Sequence, residues 1–225
     1  MSLRVSAMIP AGGSGKRLRS KTKKPFVLLN GKPVLYHALK AVCSSGYVRD
    51  VIVAAEKSEI KRVRAIVNKF GFRKVRKVVA GGRTRFDSVK NCLDEIGGDT
   101  DIVLIHDAAR PLVSKRIIED SIKSAVKYGA CVVAVPESDT VKFSRGTGFV
   151  EKTMPRGDVW RAQTPQVFRT ALIKKAFDAP GARNGATDDS SVAEKLGIRV
   201  KILRGSYENI KITTREDVKM AEALL

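Results

Sequence analysis

No aspartate or glutamate occurs before Asp50, and across all 225 residues only 23 acidic side chains face 43 lysines and arginines. The resulting formal charge of +20 calls for an anionic partner, either a nucleic acid or a polyanionic small molecule. Aromatic residues are scarce, at 6%, and none interleaves the basic runs, which removes the stacking platform that single-stranded nucleic acids use. Long apolar runs are also missing. No stretch approaches the ~20 residues needed to span a bilayer. The apolar run at residues 5–9 is too short for a signal peptide and leads directly into a glycine loop. The expectation is a soluble, cytoplasmic protein with neither a membrane nor a nucleic acid as its partner. The three cysteines, Cys43, Cys92 and Cys131, lie far apart in apolar surroundings, with no C-x-x-C or Cys/His cluster. They read as small buried hydrophobes, which excludes a disulfide framework and a thiolate metal site.

What is present fits one large α/β domain spanning residues 1–225. Short Val- and Ile-rich runs at 5–9, 51–55, 75–79, 102–106 and 131–135 have the continuous apolar character of buried parallel strands. Between them, residues 34–43, 60–70, 89–96 and 117–128 carry apolar side chains at three and four spacing, as amphipathic helices do. The alternation predicts a doubly wound, mostly parallel, Rossmann-like sheet whose ligand sits beyond the carboxyl ends of the strands. Residues 136–160 break the rhythm with Pro136, Gly146, Gly148, Pro155 and Gly157. Two strand-like pieces around a turn at Arg145–Gly148 predict a protruding β-hairpin arm. An arm of this kind cannot bury both faces alone and is expected to pack on a second subunit. Beyond it come a helix near 170–177, another beginning near Thr187, a last strand at 199–203, and a terminal helix capped by Thr214.

The cations are unevenly placed. Lys16, Arg17, Arg19, Lys21, Lys23 and Lys24 crowd the loop after the first strand, a loop that suits a triphosphate better than a helical stripe would suit a groove. That loop opens Pro10-Ala11-Gly12-Gly13-Ser14-Gly15-Lys16-Arg17-Leu18. Gly12, Gly13 and Gly15 let backbone N–H groups approach phosphate oxygens. Pro10 and Arg17 stand where a Walker A loop needs Gly and Ser/Thr, and Leu18 where a dinucleotide fingerprint needs Gly. Cations such as Arg17 and Lys24 on two sides of a triphosphate stabilise the charge that builds during in-line displacement at phosphorus.

Asp107, at the end of a very apolar strand within His106-Asp107-Ala108-Ala109-Arg110-Pro111, is placed to hold Mg²⁺ against phosphate oxygens. His106 lies within the strand run and reads as a packed residue. For Gly81-Gly82-Arg83-Thr84-Arg85-Phe86-Asp87-Ser88 two readings stay open: contact with a base edge, or an ordinary strand-to-helix turn.

In this order, these pieces resemble the methylerythritol phosphate cytidylyltransferase family of the non-mevalonate isoprenoid pathway. The matching blocks are residues 10–18, Lys24 with Gly31-Lys32-Pro33, residues 81–89, 106–111 and 160–166, Thr187-Asp188-Asp189 and Asn209-Ile210-Lys211. The resemblance implies that Arg17 and Lys24 stabilise the transition state and that Asp107 carries the divalent cation. It implies that Ala11, Gly12, Gly82 and Ser88 surround the cytidine of CTP. It further implies that Arg156, Thr187 and Lys211, with Arg110, serve methylerythritol phosphate, Arg156 being delivered by the partner of a homodimer. Gly12 replaces a more usual Ala, and Arg83 an acidic or polar residue. The nearest rival is a ribitol 5-phosphate cytidylyltransferase, which would differ around Arg156, Thr187 and Lys211; a sugar-1-phosphate nucleotidyltransferase and a basic nucleic-acid-binding module are weaker alternatives. The mechanism implied needs no strong base, because the acceptor's phosphate is already an anionic nucleophile.

Overall fold

The apolar runs become strands, as the alternation requires. The computed structural model describes residues 3–13 and 22–225. In chain order the elements are β1 (Val5–Pro10), β2 (Leu28–Leu29), β3 (Lys32–Pro33), α1 (Val34–Ser44), β4 (Val48–Ala55), α2 (Ile60–Lys69), β5 (Val75–Ala80), α3 (Arg85–Leu93) and β6 (Ile102–Ile105). They continue with α4 (Lys115–Tyr128), β7 (Ala130–Pro136), β8 (Lys142–Phe143), β9 (Lys152–Thr153), β10 (Trp160–Arg169), α5 (Thr170–Asp178), α6 (Asp189–Lys195), β11 (Lys201–Arg204) and α7 (Arg215–Leu224).

Seven strands form one sheet in the order β11-β7-β10-β6-β1-β4-β5. Pairings are parallel except where β10 runs antiparallel to both β6 and β7. Strand alternation divides the core into two layers. Val5, Ala7 and Ile9 of β1 pack with α1, α2 and α4 residues such as Leu39, Val63 and Ile118. Met8 packs on the other face with Val89 of α3, Ile173 of α5 and Val192 of α6. With both faces covered, β6 and β7 are apolar throughout, which is why they stand out in the sequence.

After β1 the chain moves one way to β4 and β5, then returns to place β6 on β1's other side. Loops leaving β1 and β6 therefore diverge, opening the crevice that such switch points create.

Three features differ from the periodicity. α3 starts at Arg85, earlier than the apolar pattern, because Thr84 and Asp87 form a reciprocal capping box. α6 starts at Asp189 because Asp188 caps it, its side chain accepting from the Ser191 N–H. Most consequentially, β10 occupies the heart of the sheet, although its sequence has no clean apolar run. Gln163, Thr164 and Gln166 are buried there, each hydrogen-bonded to neighbouring segments. Polar side chains with partners inside a protein escape the penalty that keeps them out of most strands.

The hairpin of β8 and β9 is short and antiparallel. Phe149 at its tip is 79% exposed, and Val150 and Phe143 are also exposed. No helix among the described residues is long and apolar enough to cross a membrane.

Candidate active site

A cavity of about 500 Å³ opens over the carboxyl ends of β1 and β6, within the size range of small-ligand sites. Its described wall includes Ala11, Gly12, Gly13, Lys24, Gly82, Ser88, Asp107 and Lys211, so eight of the expected residues meet in one place. Gly15 and Arg17 lie outside the described residues.

The Ala11 N–H donates to the Ala54 carbonyl at 2.7 Å, tying the start of the loop to β4. Among the described residues, a methyl group at Gly12 would touch only Ser88 Oγ, at 3.9 Å, and one at Gly13 would meet nothing within 4 Å. Packing against the described residues therefore does not demand glycine at either position, and both line the cleft. Lys24 begins a short 3₁₀ turn, Lys24–Phe26. Its neighbour Lys23 pairs with Glu56 at 2.6 Å and Glu59 at 3.0 Å, joining this segment to the loop after β4.

Gly82 has an internal reason to be glycine. A Cβ there would lie 2.1 Å from Asp87 Cβ, so the loop folds tightly onto the first turn of α3. Ser88 Oγ accepts from the Gly82 N–H at 3.1 Å and donates to the Thr84 carbonyl at 2.9 Å. Its proton thus shapes the loop, leaving Ser88 only acceptor capacity toward a ligand. Arg83, the unusual residue, is exposed on the cleft wall.

The charged centre was only half visible in sequence. Lys211 donates to Asp107 Oδ2 at 2.6 Å, and Arg85 Nε donates to Asp107 Oδ1 at 2.9 Å. The other end of Arg85 grips Asp189 with two bonds of 2.8 and 2.7 Å. Burial alone would raise the Asp107 pKa, but Arg85, Lys211 and Arg110 outweigh it and hold the carboxyl below its ordinary range. At Asp189 burial prevails, pushing the pKa up against the pull of Arg85. Both carboxylates raise the Arg85 pKa against desolvation. A signal for Arg85 was available: a cation in the first turn of a helix opposes the macrodipole and calls for nearby anions.

Thr187 lies in an adjoining hollow with Arg183 and Asp188, and Arg85 belongs to the wall of both spaces. Two further expected residues, Arg110 and Arg156, are not among the described residues of the cleft wall. Arg110 is 8% exposed, and its guanidinium donates to the carbonyls of Asn209 (2.6 Å) and Ala162 (3.3 Å), because these carbonyls need donors where water is excluded. Arg156 sits at the base of the arm, donating to the Ser138 carbonyl at 3.1 Å.

His106 is fully buried and neutral, its pKa pushed down to about 4 by burial. The Arg110 carbonyl beside Nε2 can only accept, so in the neutral ring Nδ1 is the acceptor. Nδ1 takes the hydrogen of Thr164 Oγ1 at 3.0 Å, while Thr164 Oγ1 accepts from the Asp107 N–H at 3.1 Å. The ring proton is therefore on Nε2, which donates to the Arg110 carbonyl at 3.0 Å.

Among the described residues no group of three or more His, Cys, Asp or Glu is arranged to hold a metal. Of the two carboxylates on the described cleft wall, Glu56 is paired with Lys23 and Asp107 lies at the end of β6. That donor set fits Mg²⁺ in the manner it usually adopts with nucleotides, one or two carboxylates plus phosphate oxygens and water.

A doubly wound sheet with a glycine loop, cations and a strand-end carboxylate around a switch-point cleft defines a nucleotidyltransferase. A model of the 2-C-methyl-D-erythritol 4-phosphate cytidylyltransferase (IspD) family matches residues 5–225, and the chain belongs to that family. The 2-C-methyl-D-erythritol 4-phosphate cytidylyltransferase of Geotalea uraniireducens is 43% identical over 227 residues, covering 99% of this chain and 97% of its own. That of Pelotomaculum thermopropionicum is 43% identical over 224 residues, covering 99% and 94%. Among solved structures, 4-diphosphocytidyl-2C-methyl-D-erythritol synthase from Anaerococcus prevotii superimposes with a TM-score of 0.87 at 31% identity, covering 99% of this chain and 96% of that one.

Proposed function

We propose that the protein transfers the cytidylyl group of CTP to 2-C-methyl-D-erythritol 4-phosphate, giving 4-diphosphocytidyl-2-C-methyl-D-erythritol and pyrophosphate in isoprenoid precursor synthesis. The observation that carries this reading is the Asp107–Lys211 pair opposite the glycine loop, in a chain that matches the family over residues 5–225.

An acceptor phosphate oxygen attacks the α-phosphorus of CTP. The new P–O bond forms as the bond to the β-phosphate bridging oxygen breaks, and pyrophosphate leaves with that electron pair. No proton need move. Lys24, with Arg17, stabilises the charge growing on the phosphorus oxygens and the leaving group. The glycine loop and the Gly82 loop hold the nucleotide, while Lys211 and Thr187 receive the acceptor. Asp107 would hold a divalent cation, which when bound supplies positive charge to the triphosphate. Catalysis is positioning plus fixed electrostatics.

The arm belongs to the same proposal. The chain acts as a single catalytic domain in a homodimer, with residues 136–160 of each subunit carrying Arg156 to the other's acceptor site. The exposed apolar tip supports this reading, as does the absence of Arg156 from the described wall of its own cleft.

Pyrophosphate release measured across the four nucleotides with methylerythritol phosphate and ribitol 5-phosphate tests the assignment. The expected result is turnover with CTP and methylerythritol phosphate; a higher kcat/KM for ribitol 5-phosphate would overturn the acceptor and leave the class standing.

A further inference from the structure

Behind Lys211 lies a buried polar cluster that the chemistry does not use directly. Asn209, two residues earlier, is completely buried. Its Nδ2 donates to the Thr164 carbonyl at 2.9 Å and to Gln163 Oε1 at 3.1 Å, both on β10. Its main-chain carbonyl accepts from Arg110 at 2.6 Å. The Ile212 N–H, one residue beyond Lys211, donates to the Ala109 carbonyl at 2.8 Å. Lys211 is thus bracketed, held to β10 and Arg110 on one side and to the loop after β6 on the other.

The clasp is shaped to fit. Gln163 Nε2 donates to the Ser206 carbonyl at 2.8 Å, and a Cβ on Gly205 would fall 2.5 Å from Gln163 Oε1. Glycine at 205 is what admits the Gln163 amide. Asn209 is not there for packing alone: among the described residues nothing donates to its buried Oδ1, a cost that an apolar side chain would avoid. The two bonds made by Nδ2 explain the amide. The same β10 residues also locate the other partner, since Thr164 Oγ1 accepts from the Asp107 N–H. One short stretch of β10 therefore sets both ends of the Asp107–Lys211 pair.

We propose that Asn209, clasped by the Gln163 side chain and the Thr164 carbonyl, is a positioning residue that sets the Lys211 ammonium at the acceptor side of the cleft and acts on the reaction only through Lys211. This rests on Lys211 receiving the acceptor's phosphate, and it predicts that disturbing the clasp weakens acceptor use while CTP binding is preserved.

The test is a double-mutant cycle read as acceptor KM and kcat, with the CTP Kd measured separately. Lys211→Ala raises the acceptor KM by about 10- to 100-fold, the scale of a lost hydrogen bond to a charged group. Asn209→Ala raises it by about 10-fold, as small misplacements of a binding group do, and leaves the CTP Kd within about twofold. In the Lys211→Ala background Asn209→Ala adds nothing further, which supports the proposal. Effects that multiply in the double variant show that Asn209 works independently of Lys211 and overturn it. An unchanged acceptor KM in Lys211→Ala alone overturns the Lys211 assignment, and the inference with it. If Asn209→Ala does not fold, Gln163→Met and Gly205→Ala loosen the same clasp from outside; an unchanged acceptor KM in both, with folding verified by thermal melting, overturns the proposal too.

Discussion

Arg85 holds Asp189 through two parallel hydrogen bonds of 2.8 and 2.7 Å while its Nε reaches Asp107, so one guanidinium links the cleft floor to the start of α6. Asp189 is 1% exposed, and removal of its partner strands a buried carboxyl. Arg85→Ala should therefore destabilise the fold by roughly 3–5 kcal/mol, read from denaturant unfolding. Asp189→Asn in that background should recover part of the loss. Arg85→Lys should not substitute fully, since an ammonium lacks the planar fork. Equal stability of Arg85→Ala and the parent would show that the pair contributes nothing.

Lys24→Ala should lower kcat by about 10²–10³, the usual effect of removing a donor to developing charge, with a smaller effect on acceptor binding. Single-turnover kinetics at saturating substrates is the measurement. Near-normal turnover would remove Lys24 from the catalytic set.

Asp107→Asn should shift the Mg²⁺ titration of activity to higher concentration and depress the plateau. Because Arg85 and Lys211 hold the Asp107 pKa low, the carboxylate of the parent stays ionised through mildly acid conditions. Its own titration should not appear in a pH–rate profile above pH 5. A superimposable metal titration would place the cation elsewhere.

His106 gives the fold an acid limit. Its pKa lies near 4 in the folded protein against 6.5 as reference, so between these values the unfolded chain binds more protons. Unfolding free energy should fall as pH drops from about 6.5 to 4, by on the order of 3 kcal/mol in total. His106→Gln should flatten that slope, whatever it does to stability at pH 7. An unaltered slope would mean that other groups carry the acid sensitivity.

The dimer proposal is tested by complementation. Arg156→Ala should raise the acceptor KM, and mixing it with Lys24→Ala should restore activity in heterodimers. One site of such a dimer pairs an intact Lys24 with the other subunit's intact Arg156. No recovery after verified subunit exchange, or full activity in a monomer, would exclude a shared site.

The sequence by itself determined the layered α/β plan and the glycine loop. Apolar runs such as Val51–Val53 and helical spacing such as that of α4 record local burial, and local burial has a period. Asp107 was legible for the same reason, as a carboxylate at the end of an unmistakable strand. β10 was not, because Gln163, Thr164 and Gln166 are buried by virtue of their partners and leave no apolar signature. Arg110 stood out as a charged residue beside Asp107, but its bonds to the Asn209 and Ala162 carbonyls join distant segments and leave no mark in the sequence. Only the tertiary structure decided the pairings Arg85–Asp189 and Asp107–Lys211, each joining residues 104 positions apart. Such contacts depend on strand order, and strand order is set by the competition of whole elements for the sheet, which no local pattern of residues records.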